Sequence, residues 1–276
     1  MDAQAFRSFH GCPQTVIPYF EQPRLSLGPI TIHAFGVLVA SGILLGMRLI
    51  RRQATAFGMD AAKAERLTMW ILLCGFAGAH LIDRLVYYPA ETLADPLSLL
   101  RFWESLSSFG GFVGAIVGAA LFVRRERLGA QTWQYLDLVA YAFPTSWFFG
   151  RTGCFLAYDH PGSETTFFLA QRYSDGIVRH NLGLEEALYV LPVALLFLWL
   201  GRGRRRAPGF FVGLLPVVYA PVRFMLDFLR IADVRYFGFT PGQYGAVALL
   251  IVGVLILLSV SARGSAAASS LKTRPS

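Results

Sequence analysis

The chain has 276 residues, 55% of them hydrophobic and only 15% charged, with a net charge of +8. Soluble domains carry about 25% charged residues, so this composition excludes an ordinary water-soluble globule. The basic excess would suit a nucleic-acid binder, but it sits in short loops between apolar runs. There it reads as a determinant of membrane topology, and no nucleic acid is expected as a partner.

Residues 1–20 contain no apolar signal-peptide core, so the first membrane helix is expected to serve as its own insertion signal, with residues 1–24 as an external segment by the positive-inside rule. About seven apolar runs follow, at 26–50, 65–86, 107–123, 135–157, 184–200, 209–228 and 242–261. Each is near the roughly 20 residues needed to cross a bilayer. The sequence therefore predicts an all-α, polytopic membrane helix bundle over residues 25–262. The small, polar stretch 263–276 reads as a disordered tail.

Basic residues follow the first run (Arg51, Arg52, Lys63, Arg66), the third (Arg124, Arg125, Arg127) and the fifth (Arg202, Arg204, Arg205, Arg206). The tail adds Lys272 and Arg274, whereas an intervening loop mixes Glu91, Asp95, Arg101 and Glu104. By the positive-inside rule the N-terminus lies outside and the C-terminus is cytoplasmic. Cys12, Cys74 and Cys154 show neither disulfide nor metal-ligand spacing, so no metal or cofactor is expected. No inverted repeat of the transporter kind is evident.

Against this background the polar residues are informative. An arginine at bilayer depth costs at least ~2.5 kcal/mol on insertion scales, so Arg151 needs a partner, a cavity or a ligand. Gly150 and Gly153 would let a backbone or a headgroup come close. Cys154 follows, then Asp159 and His160 between Tyr158 and a Pro161-Gly162 turn. The group reads either as a buried structural ion pair with a loop histidine or as a site. Tyr219, Arg223 and Asp227, at i, i+4 and i+8, share one helix face. They either anchor a helix end or bind a charged group.

Ser107 with Gly110 and Gly111 reads as a helix N-cap with tight packing, or as part of a site. His80, after Gly78-Ala79, is an intramembrane histidine, a residue more often packed and hydrogen-bonded than catalytic. In the expected orientation Ser107, Arg151, Asp159, Arg223 and Asp227 fall toward the outer half of the bilayer. Two arginines there suggest an anionic headgroup, because guanidinium binds phosphate bidentately. His160 offers a group able to exchange a proton near neutrality.

From Leu25 to about Leu258 the chain resembles the prolipoprotein diacylglyceryl transferase family. Gly150-Arg151-Thr152-Gly153-Cys154-Phe155 is similar to that family's G-R-x-G-N/C-F signature, the most specific of the shared motifs. Ser107-Ser108-Phe109-Gly110-Gly111 resembles S-F-H-G-G, and Gly78-Ala79-His80 resembles G-A-R. Tyr219 through Arg223 and Asp227 to Arg230 resembles Y-x-x-x-R-x-x-x-E-x-x-R, and Pro241-Gly242-Gln243 resembles M-G-Q.

The resemblance implies transfer of a diacylglyceryl group from phosphatidylglycerol to the lipobox cysteine of a prolipoprotein, in the bacterial cytoplasmic (inner) membrane. It implies that Arg151 and Arg223 hold the phosphate, that Asp227 orients Arg223 and that Tyr219 positions the headgroup. Gly153, Cys154, Asp159, Ser107, Gly110, Gly111 and His80 would complete the substrate-binding set. The chain departs from the family where its H-G-G histidine becomes Phe109, its opening tyrosine Phe35, its G-A-R arginine His80 and its N-G-E Ala157-Tyr158-Asp159. Three accounts stay open: His160 (or His80) supplies the base, water or lipid phosphate does, or the chain binds or translocates an anionic lipid without transfer.

Overall fold

The computed structural model describes residues 16–28, 30–101, 106–203, 205–231 and 235–272, with the backbone alone at Leu27, Ile30, Ser108, Phe109 and 264–272. Cys12 and most of the expected external segment lie outside the described residues, as does the side chain of Phe109. The chain is mostly helical. Its long helices are α1 (Ala34–Ala56), α2 (Ala61–Ile82), α4 (Ser108–Arg125), α5 (Thr132–Ala157), α6 (Leu182–Leu200), α7 (Phe210–Leu226) and α8 (Pro241–Lys272), with a short α3 (Pro89–Ala94) after α2. Among the described residues five helices are long and apolar enough to cross a membrane: Ala34–Ala56, Ala61–Tyr87, Leu182–Leu200, Phe210–Leu229 and Pro241–Arg263. α8 continues to Lys272, past the expected boundary at 262.

The all-α expectation needs correction in two places. Before α1, β1 (Arg24–Leu27) and β2 (Ile30–His33) form an antiparallel hairpin with Ser26 opposite Thr31. The first helix therefore begins eight residues later than the apolar run suggests (34 against 26). The physical cause is visible: Leu25, Leu27, Ile30 and Ile32 fit a period of two, and Gly28 turns the chain at φ +63°. Between α5 and α6, β3 (Pro161–Glu164), β4 (Gln171–Arg172) and β5 (Val178–Asn181) form an antiparallel sheet in the order β3-β5-β4. Strands of two to four residues are too short to betray themselves by periodicity.

Small residues set the helix spacing. A Cβ on Gly78 of α2 would lie 2.7 Å from the Gly110 carbonyl oxygen and 2.8 Å from Gly114 Cα of α4, so the two backbones meet directly. On the other side, Ser146 Oγ of α5 donates to the Gly42 carbonyl of α1 at 2.9 Å. The basic loops gather at one end of the bundle. Lys63 and Arg66 both reach Glu126, and Gln53 Nε2 donates to the Gly201 carbonyl. There Asp137 of α5 accepts the N–H groups of Gly209 and Val212, at 2.7 and 2.9 Å, and caps α7 from a neighbouring helix. The C-terminal end of α5, the start of α6, the C-terminal end of α7 and the start of α8 meet at the opposite end.

Candidate active site

The site is assembled where α5 ends. Tyr158 caps that helix in the left-handed conformation (φ +57°, ψ +24°), and Asp159 and His160 follow before β3 begins. α6 starts against the same point. Its N-cap Asn181 accepts the Leu184 N–H (3.1 Å) through Oδ1 and donates Nδ2 to the Phe155 carbonyl (3.2 Å). Gly183 is needed there, because a Cβ would sit 2.6 Å from Phe155 N. Three residues on, on the same face of α6, Glu186 therefore turns toward α5.

Glu186 organises what surrounds Arg151. Both side chains are buried, at 7% exposure for Arg151 and 3% for Glu186. Arg151 Nε stands 2.9 Å from Glu186 Oε1, in ion-pair contact but off the axis of a straight hydrogen bond. The same oxygen accepts Trp147 Nε1–H at 2.9 Å and the Tyr219 hydroxyl at 2.5 Å. The Trp147 ring lies 4.8 Å from the guanidinium carbon, adding a cation–π contact. The buried arginine thus has a carboxylate as its partner.

The second arginine is held separately. Arg223 Nη1 stands 2.7 Å from Asp227 Oδ1, one helical turn on, which is the pairing the i, i+4 spacing predicts. Asp227 is fully buried; its other oxygen accepts the Thr240 hydroxyl, and Arg230 Nη1 lies 3.8 Å from Oδ1. Thr240 and Gln243 make a reciprocal cap at the start of α8. Gln243 N–H donates to Thr240 Oγ1 (3.1 Å), and Thr240 N–H donates to Gln243 Oε1 (2.9 Å). Tyr219 and Arg223 are one turn apart on α7, so the helix face that carries Tyr219 to Glu186 also carries Arg223.

At the rim, His160 Nε2 stands 3.3 Å from Arg151 Nη1, and Nδ1 lies 2.5 Å from Asp159 Oδ1. A guanidinium only donates, so Nε2 is the acceptor and the proton resides on Nδ1, pointing at Asp159. Arg151 Nη1 also donates to Cys154 Sγ at 3.6 Å. The ligand atoms of Cys154, Asp159 and His160 lie within 4.8 Å of one another, a spacing that a metal ion could bridge. The guanidinium already faces the sulfur and the imidazole, however, and its fixed positive charge opposes a cation. The arrangement suits an anion and a proton better than a metal.

Of the residues singled out in the sequence, Arg151, Cys154, Asp159 and His160 are brought together, Tyr219 joins them through Glu186, and Arg223 and Asp227 pair with each other one and two turns further along from Tyr219. Gly153 meets α1, where a Cβ would come 2.9 Å from the Phe35 ring. Ser107, Gly110 and Gly111 serve the crossing of α2 and α4. The Ser107 hydroxyl caps α4 by accepting the Gly110 N–H (3.2 Å), and a Cβ on Gly110 would overlap the Gly78 carbonyl. His80 is fully buried, with Nε2 3.2 Å from the Leu99 carbonyl oxygen. The sequence reading does not reach Glu186 or Thr240, and it gives Trp147 and Gln243 no role of their own. Glu186 does carry a signal, an acid on an apolar run.

Residues 23–259 match a family model described as "Prolipoprotein diacylglyceryl transferase". A protein of Tolumonas auensis named "Phosphatidylglycerol--prolipoprotein diacylglyceryl transferase" is 29% identical over 241 residues, covering 85% of this chain and 93% of its own length. One of the same name from Nitratidesulfovibrio vulgaris (strain Miyazaki F) is 30% identical over 251 residues, covering 87% and 94%. A third, from Cereibacter sphaeroides (strain ATCC 17029), is 28% identical, covering 87% and 97%.

Proposed function

The chain belongs to the prolipoprotein diacylglyceryl transferase family, and from that premise we propose that it transfers diacylglyceryl from phosphatidylglycerol to a prolipoprotein cysteine. One observation supports this reading most. Arg151, Glu186 and Tyr219, from α5, α6 and α7, form one contact group with the His160–Asp159 pair at its rim, and the Arg223–Asp227 pair follows one turn beyond Tyr219.

In this reading the lipid phosphate lies between Arg151 and Arg223, whose guanidiniums stabilise the negative charge carried off by the leaving group. Glu186 and Asp227 hold those guanidiniums in place before the lipid arrives. Tyr219 positions the headgroup. The lipid phosphate draws the Arg151 Nη1 donor away from His160 Nε2, the incoming thiol gives its proton to the Nε2 lone pair so freed, and Asp159 stabilises the imidazolium formed. The sulfur then bonds to the glyceryl carbon as the bond from that carbon to the phosphate oxygen breaks. The electron pair leaves with glycerol phosphate. His160 thereby fills the role that Phe109 cannot, since a phenyl ring has no proton acceptor.

The same reading sets the protein in the bacterial cytoplasmic membrane with its long helices crossing. The basic loops then face the cytoplasm and the site faces outward. The test is a transfer assay with purified protein, phosphatidylglycerol labelled in the headgroup and a lipobox peptide, run beside Arg151→Ala. Release of labelled glycerol phosphate with lipidated peptide, lost in the variant, is expected. Phosphatidylglycerol bound through Arg151 but never cleaved would instead make the chain a lipid-binding relative.

A further inference from the structure

Tyr158 is an unusual residue for its place. Left-handed helix caps are ordinarily glycine, since any Cβ there crowds the following carbonyl. Among the described residues only Arg127, Tyr158 and Phe237 adopt positive φ without being glycine. A strained conformation persists only where its surroundings over-determine it.

The surroundings of Tyr158 do so. Its hydroxyl oxygen accepts two hydrogen bonds, from Phe20 N–H (3.0 Å) and from Gln171 Nε2 (3.0 Å). Its ring packs against Tyr19, Phe20 and Tyr173, with centroids 5.3, 5.5 and 5.2 Å away. Tyr19 and Phe20 belong to an N-terminal segment that is itself fixed. Ile17 pairs in parallel with Gln171: its N–H donates to the Ala170 carbonyl and its carbonyl accepts the Arg172 N–H, both at 2.9 Å. Gln171 in turn accepts from Asn181 Nδ2 at 2.6 Å, and Asn181 is the N-cap of the helix that carries Glu186. The residues immediately after Tyr158 are Asp159 and His160.

We propose that Tyr158, gripped by the N-terminal segment Ile17–Phe20, is a positioning residue that sets the Asp159–His160 pair against Arg151. The grip fixes the chain direction where α5 ends, and that direction decides whether Nε2 of His160 faces Arg151 or the outside. The effect on catalysis rests on the base role of His160, whereas the effect on the geometry of His160 does not.

The test uses three variants of the full chain: Tyr158→Phe, which keeps the ring and loses the hydroxyl; His160→Ala; and the double variant. The first readout is the imidazole of His160 in 15N-histidine-labelled protein in micelles, assigned by its loss in His160→Ala. Wild type should show the Nδ1-protonated tautomer with a low-field proton shared with Asp159, and Tyr158→Phe should lose that signature. The second readout is turnover: kcat should fall roughly tenfold, part of the 10²–10⁴ that a general base supplies. KM for phosphatidylglycerol should stay within about twofold, since Arg151 remains held by Glu186.

The double variant should be no slower than His160→Ala alone. Phe20→Pro, which deletes the N–H that reaches Tyr158, should shift the His160 signal in the same direction. An unchanged His160 signal in both Tyr158→Phe and Phe20→Pro overturns the proposal whatever the activity does, as does full multiplication of the two losses in the double variant. Should His160→Ala keep full activity while Tyr158→Phe still alters the signal, the positioning stands and the base role of His160 falls.

Discussion

Glu186 of α6 holds its Oε1 2.9 Å from Arg151 Nε of α5, and both side chains are removed from solvent. A buried pair of this kind contributes little over an apolar pair, but removing one partner strands the other charge. Glu186→Ala is therefore expected to destabilise the protein by about 3–5 kcal/mol. Glu186→Gln, which keeps an acceptor for Trp147 and Tyr219, should cost less. Thermal unfolding in detergent measures both, and equal losses would show that charge is irrelevant to the role of Glu186.

Arg151 binds through several faces at once: Nε toward Glu186, Nη1 toward Cys154 and His160, and the ring face of Trp147. An ammonium cannot reproduce that fork. Arg151→Lys should lose about 100-fold or more in transfer, on the scale of removing one transition-state donor. Activity near wild type would show that charge alone suffices.

Gly110 separates a packing role from a binding role. A Cβ there would overlap the Gly78 carbonyl of α2, and Ile82 Cβ would lie 2.8 Å away. Gly110→Ala is expected to destabilise by about 1–3 kcal/mol, the usual cost of overpacking, with KM for phosphatidylglycerol unchanged. A raised KM at unaltered stability would return Gly110 to the substrate site.

Thr240 donates its hydroxyl to Asp227, the carboxylate that orients Arg223. Thr240→Val keeps the shape and removes the donor, leaving a buried carboxylate oxygen short of a partner at a cost of about 1–3 kcal/mol. Transfer should fall in Thr240→Val and recover in Thr240→Ser. A serine variant as impaired as the valine one would count against the hydroxyl.

Tyr173 directly follows β4, in the turn to β5 and outside the long helices. Burial pushes its phenol up to about 12, Arg179 opposes the rise, and Tyr158, Asp159 and Glu185 add to it. The unfolded chain thus loses this proton first, near pH 10. The stability tied to the neutral phenol is intact below pH 10 and lost as pH climbs toward 12. Hydrogen exchange of β4 and β5 should show this alkaline loosening in wild type and less of it in Tyr173→Phe. Matching profiles would assign the loosening to another group.

Sequence by itself determined the helical class, the long apolar segments and the pairing of Arg223 with Asp227. Each follows from a local rule: hydropathy over about 20 residues and the 3.6-residue helical repeat. It also singled out Arg151, because a lone arginine in an apolar run demands a partner. It could not say which partner. Glu186 is 35 residues away along the chain, and only the packing of Gly183 onto the end of α5 brings it there. Sequence leaves Ser107, Gly110 and Gly111 between cap-and-packing and site roles, and the close crossing of α2 and α4 shows the cap and the contact surface. The hairpin before α1 carries a local period of two that merges into the apolar run beginning at residue 26, whereas the sheet after α5 is hidden because its strands are short and their order is set by pairing across the loop. A strand of two residues carries no period, whereas the hydrogen bonds that define it belong to the folded chain alone.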